Sequence, residues 1–334
     1  MTVFGFLRHR DAALAIIVVA LILLIGARAP VFLTPESLVG VLTDTSFLFM
    51  LVLAQMAVIL TRGIDLSVAA NLALSGMVAA LVSRAMPGLP LSAILFLAMV
   101  LGASLGAING LFIAGIGIPP IVVTLGTLSI YRGAIFVIAG GSWLTSKDMS
   151  SAFLAFPKMS VVGVPILIAI AALVISGFWA FLNHSRVGRG LYAVGGNPVA
   201  ARYCGIDLSS QQFLVYTLAG AVSGLCGYLW VSRYGIAYAD IAQGYKLTII
   251  AACVIGGVSI AGGVGSVQGA LLGALFLGVV VNALPVINVS PFWQMLISGA
   301  VILAAVVVNA RSERRSGKLI LREARRNENE EKTA

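Results

Sequence analysis

The chain has 334 residues, of which 60% are hydrophobic and only 10% charged, where soluble domains carry about 25% charged residues. A mean hydropathy of +1.06 excludes an ordinary soluble enzyme. The formal charge is +9, and eight of the 21 Lys and Arg residues lie between Arg311 and Ala334, which reads as the cytoplasmic flank of a last membrane helix and not as a nucleic-acid surface.

Continuous apolar runs of about 20 residues cross a bilayer as helices, because lipid offers no water to an exposed backbone. In chain order ten spans are expected: 12–29, 43–61, 66–83, 91–114, 119–140, 161–182, 212–232, 245–262, 267–284 and 291–310. The first imitates a signal peptide, with Arg8 and Arg10 ahead of it and Ala27-Arg28-Ala29 behind. Pro30 makes a poor cleavage context, so the segment reads as an uncleaved helix. The eighth and ninth are rich in glycine, and one of them is expected to be broken or re-entrant. The class is therefore an all-α polytopic membrane protein, with residues 1–310 as the membrane domain and 311–334 as a basic cytoplasmic tail.

Gly102, Gly106 and Gly110 lie four apart, and Gly265, Gly269 and Gly273 repeat the stripe. Such stripes let helix backbones approach in lipid. The string G-A-x-x-G-A occurs at 102–107 and again at 269–274, which is compatible with two structural repeats. With the N-terminus inside, inner segments hold fourteen Lys and Arg residues and outer loops five. Both termini are then cytoplasmic.

The chain carries no visible catalytic constellation. Its two histidines, His9 and His184, lie in flanking or loop segments, and no G-x-x-x-x-G-K-[ST] phosphate loop is present. Cys204, Cys226 and Cys253 show no metal-binding spacing; the last two read as small apolar filler. Asp65 adjoins a helix start, where it can favour the N-terminus or pair with Arg62. Arg132 cannot face lipid cheaply, and either snorkels outward or lines a vestibule.

The longest inner connection, 184–211, contains a short helix with complete punctuation. Asn197 can cap it, Pro198 fits the first helical position, and Gly205 fits a left-handed exit. Two turns are unstable alone in water, so the helix rests either on the bilayer or against a partner protein. Val199, Ala200, Tyr203 and Cys204 can share one face.

This loop resembles the ATPase-docking loop of permease subunits in bacterial ABC importers for monosaccharides of the ribose, xylose, rhamnose and autoinducer-2 type. Gly63-Ile64-Asp65-Leu66-Ser67 is similar to their G-I-D-L-S turn. Pro119 through Thr127 with Ile130-Tyr131-Arg132-Gly133, and Ile255-Gly256-Gly257 through Ser266 with Ser290-Pro291-Phe292-Trp293-Gln294, resemble further family stretches. Together they cover residues 40 to about 310. Val199 stands where many relatives carry an acidic residue.

The resemblance implies a permease with no chemistry of its own. A separate ATPase subunit would hold ATP and Mg, a periplasmic binding protein would deliver a monosaccharide, and a second permease chain, identical or related, would complete the pore. L-rhamnose permeases are closest in flavour. Implied docking residues are Gly195, Asn197, Ala200, Ala201, Arg202, Gly205 and Ile206. Candidates for the sugar path are Asn71, Asn109, Thr124, Thr127, Ser129, Tyr131, Arg132 and Asn282, although polar side chains in membrane helices equally serve as glue. The competing reading is an ion-coupled carrier acting without an ATPase, against which stand the few acids within the spans.

Overall fold

The structure is a computed structural model that describes residues 3–287 and, beyond them, positions 289, 290, 293, 296, 299, 300 and 303. The tenth expected span, most of the Ser290–Gln294 motif and the basic tail lie largely outside the described residues. The helices are α1 (Val3–Arg28), α2 (Pro35–Leu60), α3 (Val68–Ala85), α4 (Leu91–Gly110), α5 (Pro120–Ala139), the short α6 (Ser151–Ala155), α7 (Ile166–His184), α8 (Arg186–Gly196), α9 (Pro198–Tyr203), α10 (Leu208–Tyr234), α11 (Tyr245–Ile255) and α12 (Val267–Val286). Sheet is confined to two antiparallel pairs: β1 (Leu144–Thr145) with β4 (Ile236–Ala237), and β2 (Ser160–Val161) with β3 (Val164–Pro165).

Eight described helices are long and apolar enough to cross a membrane, so the chain is an all-α multi-pass membrane protein. The eighth expected span does not cross as one helix. With 11 residues, α11 covers about 16 Å at 1.5 Å per residue, roughly half of a bilayer core of about 30 Å. Five glycines follow between 256 and 265, and Gly257, Gly262 and Gly263 have φ of 88°, 88° and 73°, which a continuing right-handed helix cannot hold.

The helices sort into interior and peripheral. In α10, 72% of the most apolar stretch is buried by protein, against 17% in α1. α10 packs on α2, α3 and α4, while α1 leans on α12. Apolar surface gains nothing by hiding from lipid, so close backbone approach must hold the bundle. A Cβ on Gly102 would stand 2.3 Å from the Gly220 carbonyl oxygen, and one on Gly106 2.2 Å from that of Tyr216. On α12, Cβ atoms at Gly269 and Gly273 would meet the carbonyls of Gly256 and Ala252 at 2.2 and 2.1 Å. Both G-A-x-x-G-A strings therefore sit at helix crossings, one on α10 and the other at the end of α11.

Two ends follow from these paths. One gathers the α2–α3 turn, α8, α9 and the glycine-rich segment 256–266. The other gathers the β1–β4 pair, the last turn of α10 and the first turn of α11.

Candidate functional site

The short helix expected in the 184–211 loop is α9, and its ends are punctuated as the residues dictate. Asn197 Oδ1 accepts from the backbone N–H of Val199 and Ala200, each at 3.1 Å, and Pro198 occupies the first turn. Gly205 adopts φ 78°, and the Ile206 N–H closes back on the Ala201 carbonyl at 3.0 Å, a left-handed exit that spares glycine a Cβ clash. Asp207 then caps α10 by accepting from the Ser210 N–H and hydroxyl, both at 2.9 Å. Those two bonds hold its carboxyl below the usual aspartate range.

Sequence reasoning left 186–196 as loop, and the structure makes it helix α8. Four glycines in eleven residues oppose a helix by propensity, but tight packing supports it. Ser185 Oγ accepts from the Gly188 N–H at 2.8 Å. Gly188, Gly190, Leu191, Val194 and Gly195 are turned into the protein, while Arg186 and Arg189 face out.

The loop presents a distinct outer face. Tyr203 is 90% and Val199 66% exposed, whereas Ala201 is 4% exposed. Ala200, Arg202 and Cys204 are also exposed, and Ile206 is half-buried. Beside them runs a groove of about 760 Å³, lined by Val199, Arg202, Tyr203, Asp207 and Ser209. Of the seven docking candidates, Gly195 and Ala201 are buried within this chain. They anchor the loop, and its accessible surface is carried by the others together with Val199 and Tyr203.

The anchorage is a junction of three backbones. The Gly263 N–H donates to the Leu60 carbonyl at 3.0 Å. A Cβ on Gly195 would lie 1.8 Å from that same oxygen, and one on Gly263 would lie 2.4 Å from the Gly196 nitrogen. Arg62 locks the joint: its Nε donates to the Gly195 carbonyl at 2.7 Å and Nη2 to that of Gly196 at 3.0 Å. These are the last carbonyls of α8, where a cation is favoured. Arg62 has φ 64°, a costly conformation for a side chain of its size. Pairing of Arg62 with Asp65, one sequence expectation, does not occur. Asp65 is instead 2% exposed and accepts from the Ser67 N–H at 2.8 Å and hydroxyl at 2.7 Å at the start of α3.

The sugar-path candidates divide by their partners. Asn71 donates to the Gly102 carbonyl at 3.0 Å, Asn109 to Ser67 Oγ at 2.8 Å, and Tyr131 to the Leu105 carbonyl at 2.8 Å. Thr124 donates to the Ile64 carbonyl at 3.2 Å, and Thr127 and Ser129 bond within α5. Arg132 donates to the carbonyls of Ala239 and, at 2.9 Å, Ile241, tying α5 to the segment before α11. These are bonds of the scaffold. Asn282 also bonds within its helix, donating to the Gly278 carbonyl at 2.9 Å, but it differs in lining a cavity of about 170 Å³ with Asp44, Trp230 and Tyr245.

Residues 37–306 match the family described as branched-chain amino acid transport system / permease component. The chain belongs to this family. Among its relatives, the ribose import permease protein of Escherichia coli (strain K12) is 36% identical over 92% of this chain and 96% of its own length. The autoinducer 2 import system permease protein of Enterobacter sp. (strain 638) is 34% identical, covering 91% of this chain and 88% of that protein. The D-allose transport system permease protein of Escherichia coli (strain K12) is 33% identical, with 88% and 89% covered. These relatives are transport permeases, and the curated names point to sugar-like cargo where the family description names amino acids. No solved structure matches.

Two features of this permease escaped sequence reasoning. Arg233 falls just past the expected 212–232 span, yet it lies in the last turn of α10 and pairs with Asp44. Asp44 falls at the edge of the expected 43–61 span, but α2 begins at Pro35, eight residues earlier, which sets it inside the helix. The Arg62 junction was hidden because its partners lie more than 130 residues away.

Proposed function

We propose that this chain is the membrane subunit of an ATP-driven importer of a monosaccharide, working in the bacterial inner membrane with α8, α9 and both termini on the cytoplasmic side. The observation that carries this reading is α9: a capped six-residue helix with an exposed Val199–Tyr203 face, fixed from behind by three backbones. So short a helix has no stability alone, and its apolar face needs a cover. A separate ATPase subunit that binds ATP and Mg is that cover. A periplasmic sugar-binding protein supplies the cargo, and a second permease chain faces this one. The relatives' names support a sugar or sugar-like cargo; L-rhamnose, the sugar expected from the sequence resemblance, belongs in the test panel with D-ribose and D-allose.

The experiment is Ala200→Glu, which puts a charge on the outward face of α9. The variant is expected to reach the membrane in normal amount, to lose co-purification with an ATPase, and to abolish uptake. Normal ATPase retention in Ala200→Glu, or sugar uptake by the purified chain under an ion gradient with no ATPase present, overturns the reading and favours an ion-coupled carrier.

A further inference from the structure

We propose that the cavity between α2, α10, α11 and α12 is a subsite for one sugar ring. The inference rests on the importer reading for its cargo, but on residues remote from the docking loop.

Size comes first. The cavity measures about 170 Å³, the share of about six waters in the liquid. That is room for one hydroxylated ring.

Its chemistry is that of an amphipathic ring. Sugars present C–H faces and hydroxyl edges, and small-molecule sites match such ligands with aromatic walls and a few polar groups. The Trp230 ring lies 5.1 Å from that of Tyr234, tilted by 54°, and 5.3 Å from that of Tyr245, at 70°. All three line the cavity, as do the polar residues Thr248 and Asn282. The Asp44 carboxylate completes the polar edge. Its partner Arg233 keeps it matched in charge, yet the two side chains remain 35% and 27% exposed. Asp44 lines this cavity while Arg233 lines the neighbouring one, and an ionisable group of a membrane domain that faces a cavity is by default a candidate for a substrate path. A carboxylate is also the strongest acceptor a neutral polyol can meet. Acyl chains match this polar edge poorly.

Its position suits a path. Arg233 is in the last turn of α10 and Tyr245 opens α11, so the cavity lies in the half of the bundle away from α9. The half-length α11 runs from it to the glycine-rich segment that touches Leu60 and Gly196. Broken helices of this kind frame binding sites near mid-membrane in other transporters.

The test uses the full-length chain in nanodiscs, with Trp143, Trp179 and Trp293 replaced by Phe so that Trp230 reports alone. D-ribose, D-allose, D-galactose and L-rhamnose are titrated. At least one is expected to give a saturable change in Trp230 emission. Thr248→Val and Asn282→Ala should each weaken it roughly tenfold, the scale of one lost hydrogen bond, and should raise the KM of cellular uptake with normal surface expression. Asp44→Asn should weaken it further. The proposal falls if no sugar alters Trp230 and both milder variants import with unchanged KM. It also falls if brominated phospholipid quenches Trp230 as strongly as it quenches Trp179 in a companion protein, since the cavity would then be a lipid-facing wall. A Trp230 response together with sugar uptake by the purified chain under an ion gradient, with no ATPase present, overturns the importer reading and leaves the subsite standing.

Discussion

Ser67 is one hydroxyl serving two buried neighbours. It donates to Asp65 and accepts from Asn109, and neither residue is more than 2% exposed. Removing it strands the Asn109 amide and leaves Asp65 without its hydroxyl donor, which costs about 1–3 kcal/mol for an unsatisfied buried group. Ser67→Ala is therefore expected to lower the melting temperature of the detergent-purified chain while leaving ATPase co-purification intact. Asp207 offers a residue-scale effect with a pH sign. Its carboxyl is held low by the Ser210 N–H and hydroxyl, with a smaller contribution from Arg202. Its cap is therefore in full force above the ordinary aspartate value of about 3.9 and fades as pH falls through the lowered folded value. Hydrogen exchange in the first turn of α10 should rise on acidification below about pH 4, and Asp207→Asn should remove that dependence. Capping was legible in the sequence because it is decided within four residues: Asn197, Pro198 and Gly205 announced α9 by themselves. Arg62 was not legible, because nothing near it in the chain names the carbonyls of Gly195 and Gly196.

Among elements, α8 shows tertiary contact overriding propensity. Its glycines read as loop, yet a Cβ at Gly188 or Gly195 would meet backbone at 2.1 or 1.8 Å. The paired test is Gly195→Ala against Gly196→Ala. The first places a Cβ 1.8 Å from the Leu60 carbonyl, while the second meets nothing within 4 Å. Gly195→Ala should force the docking loop off the α2–α3 turn and reduce uptake at least tenfold; Gly196→Ala should import normally, as measured with radiolabelled sugar in matched expression strains. The stripes on α4 and α12 were readable as contact faces, since small residues four apart have few other uses in lipid. Their partners were not, because Gly220 and Gly224 on α10 and Ala252 on α11 complement them through folded geometry. Span boundaries erred where polar turns extend a helix past the lipid: α2 and α10 both start several residues before their apolar runs.

For the whole molecule, the class followed from apolar length, and eight of the nine expected spans that fall within the described residues are long helices. The shortfall at α11 arose because a glycine-rich run has the hydropathy of a span without its helicity. Orientation can be measured on the native cysteines. Cys204 is exposed on the loop, while Cys226 and Cys253 are buried. A membrane-impermeant maleimide is expected to label inside-out vesicles at Cys204 and to leave intact spheroplasts unlabelled; labelling of intact spheroplasts would invert the topology. Finally, α10 runs 27 residues without a proline, about 40 Å, from the Asp207 cap at its foot to Arg233 near its head. A continuous helix of that length acts as a lever between its two ends. Under the proposed importer reading, a small rotation imposed at its foot would arrive at the Asp44–Arg233 contact as a lateral sweep of several ångströms, with no relay needed between the two ends.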